Sequence, residues 1–379
     1  MEQKTVRNPF VVGKYISDEY FCDRLQETEF LQKQMTNGRN VALISPRRMG
    51  KSGLIEHLFA QASIQDSFYT FFVDVYATQS FAEFVYLFGK AIYEQLKPRP
   101  MVWAERFFQI VSSLRIGFRL DPQTGTPSFD ISLGDIQSPQ TTLDEIFEYL
   151  ESADTPCIVA IDEFQQIAEY AEKNVEAMLR TKIQRCKQTQ FIFAGSKRHL
   201  MSNMFNSPTK PFYQSAIITG LEPIPLPVYT EFATRQFREH NKQVMPDVVE
   251  AIYHRYDGCT WFLQMMMNEL FALTPTDGTC THDMLPLASE NVIVRQHMSY
   301  EEQLANLSPK QKQLLQAIAK EGRASGITSS TFTKKYRLPS PSSVQAAIKP
   351  LLKSDIVTNE NGQYRIYDYF FSEWLTKTF

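Results

Sequence analysis

This chain has no C-x-x-C pair anywhere. Its five cysteines, Cys22, Cys157, Cys186, Cys259 and Cys280, are odd in number and widely scattered over 379 residues. That excludes a disulfide-stapled scaffold and a zinc site of ordinary spacing, and it fits a reducing, cytoplasmic setting. The histidines, His57, His199, His240, His254, His282 and His297, show no metal-ligand spacing. No Ser-His-Asp or Cys-His nucleophilic arrangement can be argued from the sequence either. Long apolar runs are missing too. No stretch approaches the roughly 18 apolar residues of a membrane helix, and the opening MEQKTVRNPFVVGKY lacks the apolar segment of a signal peptide. Neither secretion nor a membrane partner is expected. No internal repeat or low-complexity tract stands out.

What is there is an ordinary globular composition, 43% hydrophobic and 21% charged, over a length that calls for two or three domains. The charge is unevenly spread. From Ser308 onward the chain carries 11 Lys and Arg against 5 Asp and Glu, although its overall formal charge is -3. A basic tail on an acidic body suits an anionic partner such as double-stranded DNA or RNA, and it also suits a plain solvated surface.

Hydrophobic periodicity orders the first part as alternating strands and helices. The run NVALIS is short, apolar and β-rich, like a strand buried on both faces, and KSGLIEHLFAQA after it has helical spacing. Further strands are expected over residues 68–76, in CIVAIDEF, over residues 190–196 and, more weakly, in SAIITGLEP; helices are expected over residues 81–96 and in TTLDEIFEYLES. SLRIGFRL and SFDISL alternate on either side of the turn-rich DPQTGTP, which predicts a hairpin inserted at about residues 112–135. This succession implies a mostly parallel sheet covered by helices on both faces, an α/β three-layer sandwich.

From about Pro227 strand signals vanish. VYTEFATRQFREH, PDVVEAIYHRY and TWFLQMMMNELFAL read as a helical subdomain, followed by another helix near residues 290–305. From Ser308 three helices and a hairpin with a Gly turn make a winged helix, and Pro350 either kinks the third or marks where the segment is not helix.

The segment SPRRMGKS, Ser45 to Ser52, departs by one residue from the phosphate loop G-x-x-x-x-G-K-[ST], with Ser45 in place of the first glycine. Pro46 makes that tolerable, because proline holds the residue before it in extended geometry, where no positive φ is needed. Gly50 lets the backbone approach phosphates, Lys51 reaches the β- and γ-phosphate oxygens, and the Ser52 hydroxyl ligates Mg²⁺ at the start of the following helix. The backbone of Pro46, Arg47, Arg48, Met49 and Gly53 completes the cradle. The side chains of Arg47 and Arg48 either touch phosphate, meet a neighbouring subunit or face solvent.

Taken alone, G-K-S is common and could start a helix that merely packs. CIVAIDEF argues against that, because a buried strand ends there in an acidic pair. Asp162 is expected to hold Mg²⁺ through water, and Glu163 to orient and deprotonate the attacking water. At the end of the next strand Ser196 is placed to touch the γ-phosphate or that water, or else to cap the helix that follows. No arginine can be assigned as the one that neutralises transition-state charge.

FCDRLQETEFL, ISPRRMGKS, IVAIDEFQQI, FAGS with Met201 downstream, PFYQSA and GCTWFLQ resemble, in order, the motifs of the archaeal-type P-loop ATPases. These are relatives of the AAA+ and STAND ATPases, abundant in archaea and Bacteroidetes-like bacteria. The resemblance runs over nearly the whole chain, since members commonly end in a winged helix that runs into a motif like YDYFFSEWL. It implies ATP and Mg²⁺ as ligands, with Lys51 and Ser52 on the phosphates and metal, and Asp162 and Glu163 as metal-organising and base residues. It also puts Asp23 and Arg24 near the adenine, where similar proteins often have Gly-Arg-Glu. Two departures bear on hydrolysis: PFYQSA lacks the arginine that similar proteins carry nearby, and Thr260 stands about where a proline is usual.

The sequence thus leads to a P-loop core over residues 1–225, a helical lid over 226–300 and a winged helix over 301–379, with ATP expected between core and lid. In the winged helix, Lys334, Lys335, Arg337, Lys349, Lys353 and Arg365 are candidates to meet DNA phosphates, and Ser342, Ser343 and Gln345 to face bases. The expected activity is a nucleotide-driven switch that turns ATP into ADP. Its role is either DNA-associated or a STAND-like signalling or defence one, with self-association or a protein partner. A scaffold that binds nucleotide without turnover is the third reading.

Overall fold

The structure, a computed structural model, describes residues 8–96, 101–113, 117–120, 127–130 and 138–379. The turn expected in the inserted hairpin, at 121–126, and its flanks at 114–116 and 131–137 lie outside these. The chain separates into two compact units, one spanning Gly13–Ile224 and one formed by Pro225–Phe379 with the described residues 8–12. Among the described residues, no helix is long and apolar enough to cross a membrane.

The first unit begins with α1 (Leu25–Thr36), β1 (Val41–Ile44), α2 (Lys51–Ala60) and the short α3 (Ala62–Gln65). Next come β2 (Tyr69–Asp74), α4 (Phe81–Leu96), α5 (Met101–Ile110) and an antiparallel pair, β3 (Gly117–Leu120) with β4 (Pro127–Asp130). The unit closes with α6 (Pro139–Glu151), β5 (Cys157–Asp162), α7 (Val175–Ile183), β6 (Thr189–Gly195), α8 (Arg198–Asn206) and β7 (Ile217–Thr219). Five strands form one parallel sheet in the order β2-β5-β6-β1-β7.

Every residue of β1, β5 and β6 is buried, which is why these segments read as continuous apolar runs instead of alternating ones. On α4, Phe81, Phe84, Val85, Phe88 and Ile92 recur at helical spacing and are all buried, so a single apolar stripe docks this helix onto the sheet. Aromatic rings fill much of the core. Phe193 of β6 lies 4.6 Å from Phe164 and 5.4 Å from Phe205 between ring centroids, and such pairs add about 0.5–1.5 kcal/mol beyond the area they bury. This strand order sets the carboxyl ends of β5, β6 and β1 side by side, where ligands of open α/β sheets bind.

The second unit contains α9 (Leu226–Glu239), β8 (Gln243–Val244), α10 (Pro246–Arg255), α11 (Thr260–Leu273), β9 (Thr279–Cys280) and α12 (Leu285–Ala305). It continues with α13 (Pro309–Glu321), β10 (Ala324–Ser325), α14 (Ser330–Lys335), α15 (Pro341–Lys353), β11 (Val357–Glu360), β12 (Gln363–Ile366) and α16 (Tyr369–Thr378). Strand structure does not vanish here as expected. β8 and β9 pair in parallel over two residues each, too short to leave a period in the sequence. Thr260 is the first residue of α11, a position where the fixed φ of proline also suits a helix.

The order β10-β12-β11 forms the small antiparallel sheet beside α13–α15, with Asn361 and Gly362 joining β11 to β12. Pro350 stands inside α15, which continues to Lys353. The final motif YDYFFSEWL starts α16, capped by Asp368, whose Oδ1 accepts from the Phe370 and Phe371 amides.

Candidate functional site

The loop between β1 and α2 is built on the backbone of Gly50, which sits at φ 94°. A side chain here would meet nothing within 4 Å, so the requirement for glycine is conformational, not one of space. Ser45 is not among the positive-φ residues. Its amide donates to the Gly195 carbonyl at 3.2 Å and its hydroxyl to the Leu221 carbonyl at 3.1 Å. A serine therefore fastens the loop's first corner, with a hydrogen bond that the missing glycine could not make.

Lys51 is buried, and its ammonium donates to the carbonyls of Ser45 at 2.9 Å and Pro46 at 3.0 Å. Helix α2 opens without a side-chain cap, leaving its positive end to serve an anion. A left-handed glycine, a lysine inside the loop's curl and an uncapped helix start together fit a phosphate group.

Facing this loop, the Ser52 hydroxyl donates to Asp162 Oδ2 at 2.5 Å. Burial pushes the Asp162 carboxyl above its ordinary range. The Ser52 hydrogen bond and the Lys51 charge oppose that rise, whereas the Glu163 charge adds to it. Such a carboxylate gains most from a cation beside it.

Glu163 follows at φ 54°, and its Oε2 accepts from Ser196 Oγ at 2.7 Å and from Gln165 Nε2. Ser196 in turn accepts from Arg47 Nε at 3.4 Å. The Arg47 guanidinium carbon stands 5.6 Å from the Tyr76 ring centroid. Gln165 and Tyr76 are not evident as site residues in the sequence. The sole sequence signal for Gln165 is its place directly after the acidic pair and Phe164.

Other candidates are placed differently. Asp23 and Arg24 are both left-handed, at φ 54° and 70°. Arg24 is buried as a brace, donating to Glu27 Oε1 at 2.7 Å, to the Glu222 carbonyl at 2.7 Å and to the Met49 carbonyl at 3.3 Å. Arg48 takes φ 66° in the loop and Met49 is buried. The ring beside the first turn of α2 belongs to Phe21, which stacks on His57 with centroids 4.4 Å apart.

In the second unit, Lys334, Arg337, Ser342, Gln345, Lys349 and Lys353 are exposed, and Ser343 is half-buried at the capped start of α15. Lys335 is ion-paired to Glu321 at 2.6 Å. Arg365 does not join them, because its guanidinium lies on the Tyr369 hydroxyl and 3.5 Å from Asp257 Oδ2.

A family model described as "Probable winged helix domain" matches residues 298–377. No curated protein matches the chain in sequence. Among solved structures, the Walker-type ATPase of Pyrococcus abyssi is similar at 20% identity and a TM-score of 0.66, covering 97% of this chain and 99% of its own. The Aeropyrum pernix ORC2 protein, solved as ADPNP-ADP complexes, follows at 13% identity and 0.60, with 99% and 98% covered. The ORC1 protein of the same organism, solved in complex with DNA, aligns at 14% identity and 0.52, over 94% and 93%. Together with the sheet order and the loop after β1, these likenesses give the chain the fold of an archaeal-type P-loop ATPase with a C-terminal winged helix.

Proposed function

We propose that this chain binds ATP with Mg²⁺, hydrolyses it to ADP and phosphate, and uses the cycle as a switch in the cytoplasm. The observation that carries the reading is the 2.5 Å contact between Ser52 and Asp162. It brings together, from two distant motifs, the hydroxyl and the carboxylate that organise Mg²⁺ in P-loop enzymes. Ser52 and Asp162 would hold Mg²⁺ there, and the ion would supply charge neutralisation for the phosphates.

The chain's own residues do the rest. Lys51 exchanges the Ser45 and Pro46 carbonyls for phosphate oxygens, and the start of α2 receives the phosphates end-on. Glu163 acts as the base. Its Oε2 is fixed by Ser196 and Gln165, and its Oε1 takes the proton of the attacking water.

A DNA-associated role is favoured by exposed Lys334, Arg337, Lys349 and Lys353 on and beside α14 and α15 of the winged helix, because exposed cations are what phosphates recruit. The ORC1 neighbour, solved in complex with DNA, supports the same reading.

The deciding experiment is phosphate release from ATP, with and without duplex DNA, for the native chain, Lys51→Ala and Glu163→Gln. Mg²⁺-dependent release lost in both variants supports the ATPase, and stimulation by DNA supports the DNA role. ATP binding that needs Lys51 but gives no release would overturn hydrolysis and leave a nucleotide-locked scaffold. Nucleotide-dependent oligomers without DNA affinity would favour a signalling assembly.

A further inference from the structure

We propose that Arg47 is the arginine that neutralises charge on the transferred γ-phosphoryl group, supplied in cis by the phosphate loop itself; this rests on the ATPase reading above. The argument is positional. Arg47 belongs to the loop after β1, yet its Nε reaches Ser196, just past β6, at 3.4 Å, and its guanidinium carbon lies 5.6 Å from the ring of Tyr76, just past β2. In the sheet order β2-β5-β6-β1-β7, the strand between β6 and β2 is β5, whose carboxyl end carries Asp162 and Glu163. The guanidinium is therefore drawn across the mouth of the site, in front of the acidic pair.

A donor chain connects it to the base. Arg47 Nε donates to Ser196 Oγ, and Ser196 Oγ donates to Glu163 Oε2 at 2.7 Å. This gives the serine one orientation and links the cation to the carboxylate that acts on water. The Tyr76 face provides a cation–π seat for the guanidinium. A γ-phosphate seated on Lys51 and Ser52 would enter on the loop side of this cation. In the loose transition state of phosphoryl transfer, charge spreads over the equatorial oxygens, and a planar fork beside them is the most effective neutralising group a side chain offers.

The test compares native chain, Arg47→Ala and Arg47→Lys by dissociation constants for ATP and ADP in Mg²⁺, by trapping of ADP with aluminium fluoride, and by kcat. The affinity ratio is defined even for a chain that turns over slowly. The expected result for Arg47→Ala is an ADP affinity within about threefold of native, a reduced preference for ATP, no aluminium fluoride trapping, and a kcat lower by about 10³-fold or more. Arg47→Lys should recover only part of each loss.

Native-like trapping and ATP preference in Arg47→Ala would overturn the proposal. So would equal loss of ATP and ADP binding, which marks damage to the loop. Recovered turnover on mixing Arg47→Ala with Lys51→Ala would also overturn it, by showing that the arginine acts between subunits. The parent reading fails separately, when the native chain itself binds neither nucleotide, and Arg47's role then falls with it.

Discussion

Ser52 and Asp162 are 110 positions apart in the chain, and the hydroxyl of one lies 2.5 Å from the carboxylate of the other. The sheet makes this contact by setting β5 close to β1, with only β6 between them. Removing the hydroxyl with Ser52→Ala should weaken nucleotide binding in Mg²⁺ by about 10–100-fold, the worth of a hydrogen bond to a charged partner. The same variant should bind like the native chain when Mg²⁺ is chelated. Titration of a fluorescent ADP analogue with and without chelator reads both, and an equal loss under the two conditions would deny Ser52 a metal role.

Asp162 gives a pH signature in the chain without nucleotide. Its folded carboxyl binds a proton more tightly than the unfolded one, chiefly through burial. The sign follows from linkage: stability at this site is fully present below the unfolded carboxylate range and is lost as pH rises through the raised folded pKa. Asp162→Asn removes that loss. The variant should therefore unfold at a higher temperature than the native chain at pH 7, with the advantage shrinking as pH falls toward the ordinary carboxylate range, about 4. Addition of Mg²⁺ and ATP should reverse the order. Thermal unfolding across this range checks it; a variant less stable at pH 7 without ligand would contradict the burial argument.

Gly195, the last residue of β6, has no room for a side chain. A Cβ added there would lie 2.5 Å from Met201 Cγ and would collide with Gln165 Oε1. Gly195→Ala must then displace the side chain that holds the Glu163 carboxylate. Overpacking of this kind costs about 1–3 kcal/mol. Turnover should fall more than nucleotide affinity does, because Lys51 and Ser52 are untouched. A variant with native turnover would show that the Gln165 contact is dispensable.

Much of this arrangement can be read in the sequence, and the reason is physical. β1, β5 and β6 are buried on both faces, so they leave unbroken apolar runs, and the residues that follow them stand at fixed offsets. Helix α7 is not legible in the same way. Its buried residues, Val175, Leu179 and Ile183, stand among charged neighbours and leave only a sparse i, i+4, i+8 signal. Helix α5, which follows the prolines at 98 and 100, likewise lacks a capping residue to announce its start. Ser45 reads in the sequence as a tolerated replacement, whereas the structure gives its hydroxyl an acceptor at Leu221. The meeting of Arg47, Ser196 and Tyr76 depends on strand order, which no local pattern encodes. The family resemblance puts Arg24 near the adenine, and only tertiary structure shows its guanidinium donating to Glu27, Glu222 and Met49.

The winged helix separates its cations into two kinds, and DNA binding should respect the difference. Lys334 and Lys349 are exposed, whereas Arg365 is engaged with Asp257 and Tyr369. If duplex DNA is the partner, Lys334→Ala and Lys349→Ala should each weaken binding uniformly across sequences. Each should also lower the slope of log affinity against log salt by about one, as loss of one phosphate contact does. Arg365→Ala should leave that slope unchanged and instead lower the unfolding temperature, since it strips a partner from the cluster that Asp257 shares with Arg323 at 2.5 Å. Fluorescence anisotropy with a labelled duplex at several salt concentrations measures the slopes. Native-like slopes in both lysine variants would remove this face as the DNA site, and a slope that falls only in Arg365→Ala would mean that the cluster opens on binding.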